Sequence, residues 1–253
     1  MINNTTRAKL AAGETVVGTF FKYAEGTLAE NVALTGVDFM VFDGEHGNVN
    51  AHQTQDLCRA AELHGVTPIS RVPTNQPHDI LQFLDAGAHG VHVPWVNSVE
   101  GVEEAVQSVK YGPRGRRGLA GSRASRFGFG ESIAEYTVRA NRETMVIIHI
   151  ETIDAVNLVE QYVDVPDVDV LFIGPTDLSH SLGHPGQFDH PEVAAAMDRV
   201  AEVVVPSDKV LGIYAGSSDF ATAWKQRGAR YFTTGIEGFM SRGLGEYVER
   251  VKG

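Results

Sequence analysis

The chain has 253 residues, 43% of them hydrophobic, with 27 glycines, one cysteine and a formal net charge of −11 at pH 7. That length suits one large domain, and the acidic balance argues against nucleic acid or an anionic membrane surface as the main partner. The lone Cys58 excludes an intrachain disulfide framework and a cysteine metal cage, no run approaches the ~18 apolar residues of a membrane span, and the first residues show no signal pattern, so a cytoplasmic location is expected.

Short apolar or β-branched runs alternate with stretches of helical periodicity. The spacing predicts strands over 15–21, 37–42, 67–72, 90–95, 145–150, 168–173, 209–214 and 230–234. Helices are expected at about 24–35, 51–64, 77–86, 98–108, 152–162, 190–204, 217–227 and 236–251. Eight strand–helix units across a single domain of residues 1–253 predict the α/β class and a closed (β/α)₈ TIM barrel. An open doubly wound sheet is the other α/β layout, but KYAEGT after the first strand lacks its Gly-rich phosphate turn. Residues 109–144 read as one long connection, in which YGPRGRRGLAGSRASRFGFG carries five arginines. A connection of that length in a compact domain is usually functional or disordered.

In such a barrel, chemistry gathers at the C-terminal ends of the strands. Asp43, Glu45 and His46 end the second run in VFDGEHG, Arg71 ends the third, His149 and Glu151 end the fifth, and Asp177 follows the sixth in GPTDLS. Glu151 and Asp177 on neighbouring strand ends suit a hard cation such as Mg²⁺ or Mn²⁺. The alternative is that Glu151 caps the helix after it and Asp177 sits in a turn. Arg71 closes an apolar strand, where a guanidinium is costly unless paired. It either pairs with Asp43 or Glu45 or faces an oxyanion on a substrate, and both can hold in turn. His46 is a candidate general base, against the plainer reading of a loop residue. Gly174 and Pro175 form a turn whose backbone N–H groups can bind a carboxylate, with Asp177 aimed back at it. Asp85 lies at a helix C-terminus, at the far end of its own barrel, so any catalytic part belongs across a subunit interface. No predicted strand ends in lysine, and Lys209 opens the seventh, which disfavours Schiff-base chemistry.

FDGEH, ISRVP, LDAGAHGVHVPWV, YGPRGRRG, RASRFG, HIET and FIGPTDLSHSLGHPGQFDHPEV, in that order over about residues 14–240, together resemble the HpcH/HpaI class II aldolases. The resemblance implies a (β/α)₈ barrel that exchanges its C-terminal helix in a homohexamer, a trimer of dimers. It implies that Glu151 and Asp177 hold Mg²⁺ or Mn²⁺, with Co²⁺ a further candidate. It places Arg71 on the keto or enolate oxygen and makes His46 the base, acting with a water and oriented by Asp85 of a neighbouring copy. Asp43 belongs to the same strand-end group. Gly174, Pro175 and Thr176 would hold a pyruvate carboxylate, and His149 stands where the family commonly has Gln.

The implied reaction is reversible cleavage of a 4-hydroxy-2-oxo acid, of the heptanedioate or 2-keto-3-deoxy sugar-acid type, to pyruvate and an aldehyde. Trp95, residues 119–123, Ile213 and Tyr214 are candidates for the aldehyde pocket, and Arg123 or Arg126 for an acidic tail or a subunit contact. The alternatives are the same metal-assisted chemistry on a CoA thioester or oxaloacetate, and a non-catalytic barrel. Partners are expected to be a small 2-oxo acid, an aldehyde and further copies of the chain.

Overall fold

The structure is a computed structural model that describes residues 3–253. In chain order it contains α1 (Thr5–Ala11), β1 (Val16–Phe21), α2 (Gly26–Ala33), β2 (Phe39–Asp43), α3 (Ala51–Leu63), β3 (Thr67–Arg71) and α4 (Pro77–Ala86). β4 (Gly90–Val93), α5 (Val99–Val109), a 3₁₀ segment (Arg123–Gly128), α6 (Ile133–Glu143), β5 (Met145–Ile150), α7 (Ile153–Asn157) and α8 (Val159–Val163) follow. The chain ends with β6 (Val170–Ile173), α9 (Pro175–Ser181), α10 (Pro191–Val204), β7 (Val210–Tyr214), α11 (Ser218–Gln226), β8 (Tyr231–Gly235) and α12 (Ile236–Lys252). Every strand pairs in parallel with the next, and β8 returns to β1, closing the expected barrel.

Local chemistry starts the helices where it should. Asn50 and Gln53 exchange hydrogen bonds at the head of α3, Ser132 and Glu135 do so at α6, and Ser98, Thr152 and Ser217 cap α5, α7 and α11. Apart from Val17 of β1, which is exposed, the strands are covered on both faces. One set of side chains, including Phe20, Phe39, Val41, Ile69, Ile147, Phe172 and Tyr231, fills the lumen. The alternate set, including Val91, Val146, Ile148, Leu171 and Ile213, packs outward under the helices. The same alternation carries Asp43, Arg71 and His149 inward at the upper rim, which is how the fold builds a polar mouth on an apolar plug.

Four sequence expectations need correction. Residues 109–144 are not one long loop, because α6 occupies 133–143. Its inward face is only Tyr136, Ala140 and Asn141, a short stripe at the end of an arginine- and glycine-rich connection. The α1 helix, burying only Thr6 and Leu10, escaped as well. The stretch predicted as a helix over 152–162 breaks at Leu158 into α7 and α8. GPTDLS is not a free turn but the opening of α9, with Pro175 in the first helical position.

The Arg-rich segment folds against its own chain at the lower end of the barrel. Arg117 Nη2 lies 2.7 Å from Asp85 Oδ1, and Arg123 Nη2 lies 2.5 Å from Glu62 Oε2. Among the described residues of α12 only Ile236 is buried, while Phe239, Met240, Leu244, Tyr247, Val248 and Val251 are exposed. Among the described residues no helix is long and apolar enough to cross a membrane.

Candidate active site

A cavity of about 240 Å³ opens at the C-terminal ends of the strands. Its wall brings together His46, Arg71, His149, Glu151, Asp177 and the Gly174–Thr176 turn, contributed by β2, β3, β5 and the start of α9. Residues more than 100 positions apart in sequence thus share one space.

The β2–β3 side is organised by Asp43, which is fully buried. Register places Asp43 directly beside Arg71. Arg71 grips it with two prongs, Nε to Oδ1 at 2.9 Å and Nη2 to Oδ2 at 2.6 Å. The backbone N–H groups of Glu45 and His46 also donate to Asp43 Oδ1, at 3.1 and 3.0 Å. Burial pushes the Asp43 carboxyl up, but Arg71 and these two amides outweigh it and hold the group below its usual range. Arg71 also lies 3.1 Å from Glu45 Oε2 and 4.5 Å over the Phe20 ring. The ion-pair alternative for Arg71 is therefore realised, and its guanidinium still lines the cavity.

On the β5–β6 side, Glu151 Oε1 accepts from the Trp95 N–H at 2.7 Å and Oε2 lies 3.0 Å from His149 Nδ1. Burial raises the Glu151 carboxyl, yet the adjacent His149 and the Trp95 amide outweigh it and hold it below its usual range. The capping alternative for Glu151 fails, because Thr152 is the residue that caps α7. Trp95 itself has φ of 54°, a left-handed conformation costly for a side chain of that size. Its indole Nε1 donates to Glu45 Oε1 at 2.9 Å, so one strained residue ties the β2 and β5 carboxylates together.

The Gly174 turn has less donor capacity than its sequence suggests. The Gly174 N–H is engaged by Ile150 O at 3.1 Å and Pro175 has none, so Thr176 and Asp177 supply the amides that helix geometry leaves without intrahelical acceptors. A side chain at Gly174 would come within 3.0 Å of Glu151 Oε2, so glycine keeps the space in front of that carboxylate open. An all-oxygen pair of this kind, with room for water and substrate beside it, fits a hard divalent cation.

Other expectations fall elsewhere. The His46 side chain is half exposed at the cavity edge, with Nε2 4.0 Å from Glu45 Oε1. Asp85 does not reach its own cavity and is held by Arg117. Of the residues proposed for the aldehyde pocket, Tyr214 lines the cavity, and Leu119–Arg123 do not. Arg123, on the 3₁₀ segment, is gripped by Glu62 of α3 and donates to the Ala86 carbonyl of α4 at 3.4 Å, all within one chain.

Lys22 and Glu237, immediately after β1 and at the start of α12, line the cavity and were missed, although the strand-end rule would have found both. Among the described residues no strand ends in lysine, as expected, but Lys22 follows directly after β1. It is exposed, so the desolvation a Schiff-base lysine needs is absent. A separate group of possible metal ligands, His184, His190 and Glu192, has its ligand atoms within 4.8 Å of one another. It lies between α9 and α10, outside the cavity, where His190 also caps α10.

Residues 17–242 match the family model described as HpcH/HpaI aldolase/citrate lyase. The chain belongs to that family. It is similar to a hydroxypyruvate/pyruvate aldolase of Sagittula stellata, 35% identical over 244 residues and covering 94% of each chain. It is also 33% identical to an Escherichia coli 4-hydroxy-2-oxo-heptane-1,7-dioate aldolase, over 93% of this chain and 90% of the relative. Among solved structures, an HpcH/HpaI family protein from Burkholderia cenocepacia superposes with a TM-score of 0.93 at 30% identity, over 99% of this chain and 100% of the other. The citrate synthase SbnG superposes with a TM-score of 0.88, also at 30% identity, covering 97% and 96%. Membership in the HpcH/HpaI family makes this chain an enzyme of the carbon–carbon lyase class.

Proposed function

We propose that this chain is a metal-dependent pyruvate aldolase that reversibly cleaves 4-hydroxy-2-oxo acids. The observation that carries this is one cavity joining the Glu151 and Asp177 carboxylates with the anchored guanidinium of Arg71. Mg²⁺ or Mn²⁺ held by Glu151 and Asp177 would supply the positive charge that polarises the 2-oxo group of the substrate.

The chain's own groups do the rest. The Thr176 and Asp177 amides, at the positive end of α9, face the substrate carboxylate. His46 takes the proton of the 4-hydroxyl group. The C3–C4 bond then breaks, the aldehyde leaves, and the electron pair passes into the enolate of pyruvate. Arg71, held rigid by Asp43, donates to the enolate oxygen as its charge grows. A proton returned to C3 completes pyruvate. Asp85 faces away from its own cavity, and in this reading it orients His46 of a neighbouring copy in a homohexamer.

The aldolase relatives support the reaction, and the citrate synthase SbnG, about as similar, bears on the choice of substrate. The test is pyruvate release from 4-hydroxy-2-oxo acids with dicarboxylic and sugar-acid tails. Activity is expected to vanish in excess chelator and return with Mn²⁺. Full turnover in chelator, with borohydride trapping pyruvate on Lys22, would overturn the mechanism. Turnover of oxaloacetate or a CoA thioester without aldol cleavage would overturn the substrate class.

A further inference from the structure

Four buried side chains form a single file through the barrel lumen and end on Glu151. Tyr231 Oη, on the first residue of β8, lies 2.8 Å from His92 Nε2. His92 Nδ1, on β4, lies 2.9 Å from His149 Nε2, and His149 Nδ1 lies 3.0 Å from Glu151 Oε2. None of the four is more than 2% exposed.

The direction of this line follows from its two ends. An ionised carboxylate only accepts, so the proton sits on His149 Nδ1. At the other end the buried Tyr231 hydroxyl donates to His92 Nε2, so uncharged His92 carries its proton on Nδ1 and gives it to His149 Nε2. Every bond is satisfied with both imidazoles neutral. Burial pushes His92 well below and Tyr231 well above their ordinary values, which keeps both uncharged.

The line leads nowhere else. Tyr231 is fully buried and stacks on Phe39 with ring centroids 4.2 Å apart. Among the described residues the Tyr231 hydroxyl has no hydrogen-bond partner beyond His92, so the file acts as a support for His149. The lumen is shaped around it: a Cβ at Gly212 would come within 3.1 Å of the Tyr231 ring, and one at Gly18 within 2.4 Å of the Phe39 ring.

We propose that Tyr231 and His92 are positioning residues that lock His149 in its Nδ1–H tautomer and thereby fix the orientation in which Glu151 faces the cavity. The role given to Glu151 rests on the aldolase reading; the tautomers do not. Partners behind a metal ligand typically change metal affinity or activity by about 10- to 100-fold when removed.

The experiment has two readouts on the full-length protein. Solid-state ¹⁵N spectra of metal-free, histidine-labelled protein are expected to show His92 and His149 each protonated at Nδ1 only, their signals assigned by loss in His92→Asn and His149→Gln. An Nε2–H tautomer or a doubly protonated ring at either position overturns the proposal, whatever the reaction proves to be. Mn²⁺ titration and kcat form the second readout. His92→Phe is expected to weaken Mn²⁺ binding and lower kcat by about 10-fold or more. His92→Asn, which restores a donor near the place of Nδ1, should recover part of the loss. Tyr231→Phe should cost less than His92→Phe, because it removes only the far hydroxyl, and it serves if His92→Phe does not fold. Unchanged Mn²⁺ affinity and kcat in folded His92→Phe and Tyr231→Phe would reduce the file to packing. Intact Mn²⁺ effects without any aldol cleavage would instead remove the aldolase reading and leave the file standing.

Discussion

Arg71 serves two ends because Asp43 lies fully buried behind it. Removing the guanidinium leaves an ionised carboxylate stranded in the barrel wall. Arg71→Ala is therefore expected to cost about 3–5 kcal/mol of stability as well as turnover. Arg71→Lys keeps a charge near Asp43 but not the two-pronged fork. Its turnover should fall by a larger factor than its folding equilibrium, as read by steady-state kinetics beside urea unfolding. Equal losses in Arg71→Lys would make the residue structural only. The charged groups themselves were conspicuous in the sequence, since a strand such as TPISRV ending in arginine demands an explanation. Which acid would take the bidentate grip was not legible. It depends on the β2–β3 register, which sets Asp43 rather than Glu45 opposite Arg71.

At the scale of elements, α6 shows why periodicity has limits. It is docked by polar groups: Lys110 Nζ donates to the carbonyls of Asn141 and Thr144 at 3.0 and 2.6 Å, and the Asn141 side chain bonds both backbone groups of Tyr111. An ammonium at a helix C-terminus is well placed against the dipole, and docking of this polar kind leaves no mark in a chain's hydrophobic pattern. Burial pulls Lys110 from its ordinary 10.5 down to about 8. Below pH 8 both folded and unfolded chains carry the proton, and the fold bears the full cost of burying it. Between about 8 and 10.5 the unfolded chain holds a proton that the folded one has lost, so stability rises with pH. From pH 8 to 10 this group is expected to add about 2–3 kcal/mol. Denaturant midpoints across that range should show the rise in the wild type and lose it in Lys110→Met; the same slope in both would refute the assignment.

For the whole molecule, the exposed apolar residues of α12 are the feature a monomer explains least, since lone domains rarely leave such a continuous patch in water. In the proposed homohexamer this helix packs on a neighbouring copy. Sedimentation velocity is expected to show an assembly, and the double substitution Leu244→Glu with Tyr247→Glu should dissociate it. Circular dichroism of the barrel should stay unchanged, because only Ile236 of α12 is buried on its own chain. Turnover should fall with dissociation, since Asp85 lies too far from its own cavity to act there. A folded, monomeric variant with full activity would exclude any contribution from a neighbour.

The sequence by itself determined the closed barrel, through eight apolar runs each followed by a helix, and the chemical types gathered at the strand ends. Those are local properties, because periodicity reports which face of an element is buried and strand-end placement follows from chain order. The tertiary structure alone decided the partnerships: Asp43 with Arg71, Trp95 bridging Glu45 and Glu151, and the file from Tyr231 through His92 and His149. His92 reads in sequence as one more residue of a buried run. Its neighbours across the lumen are set by the stagger of strands around the closed barrel, and no single strand carries that information.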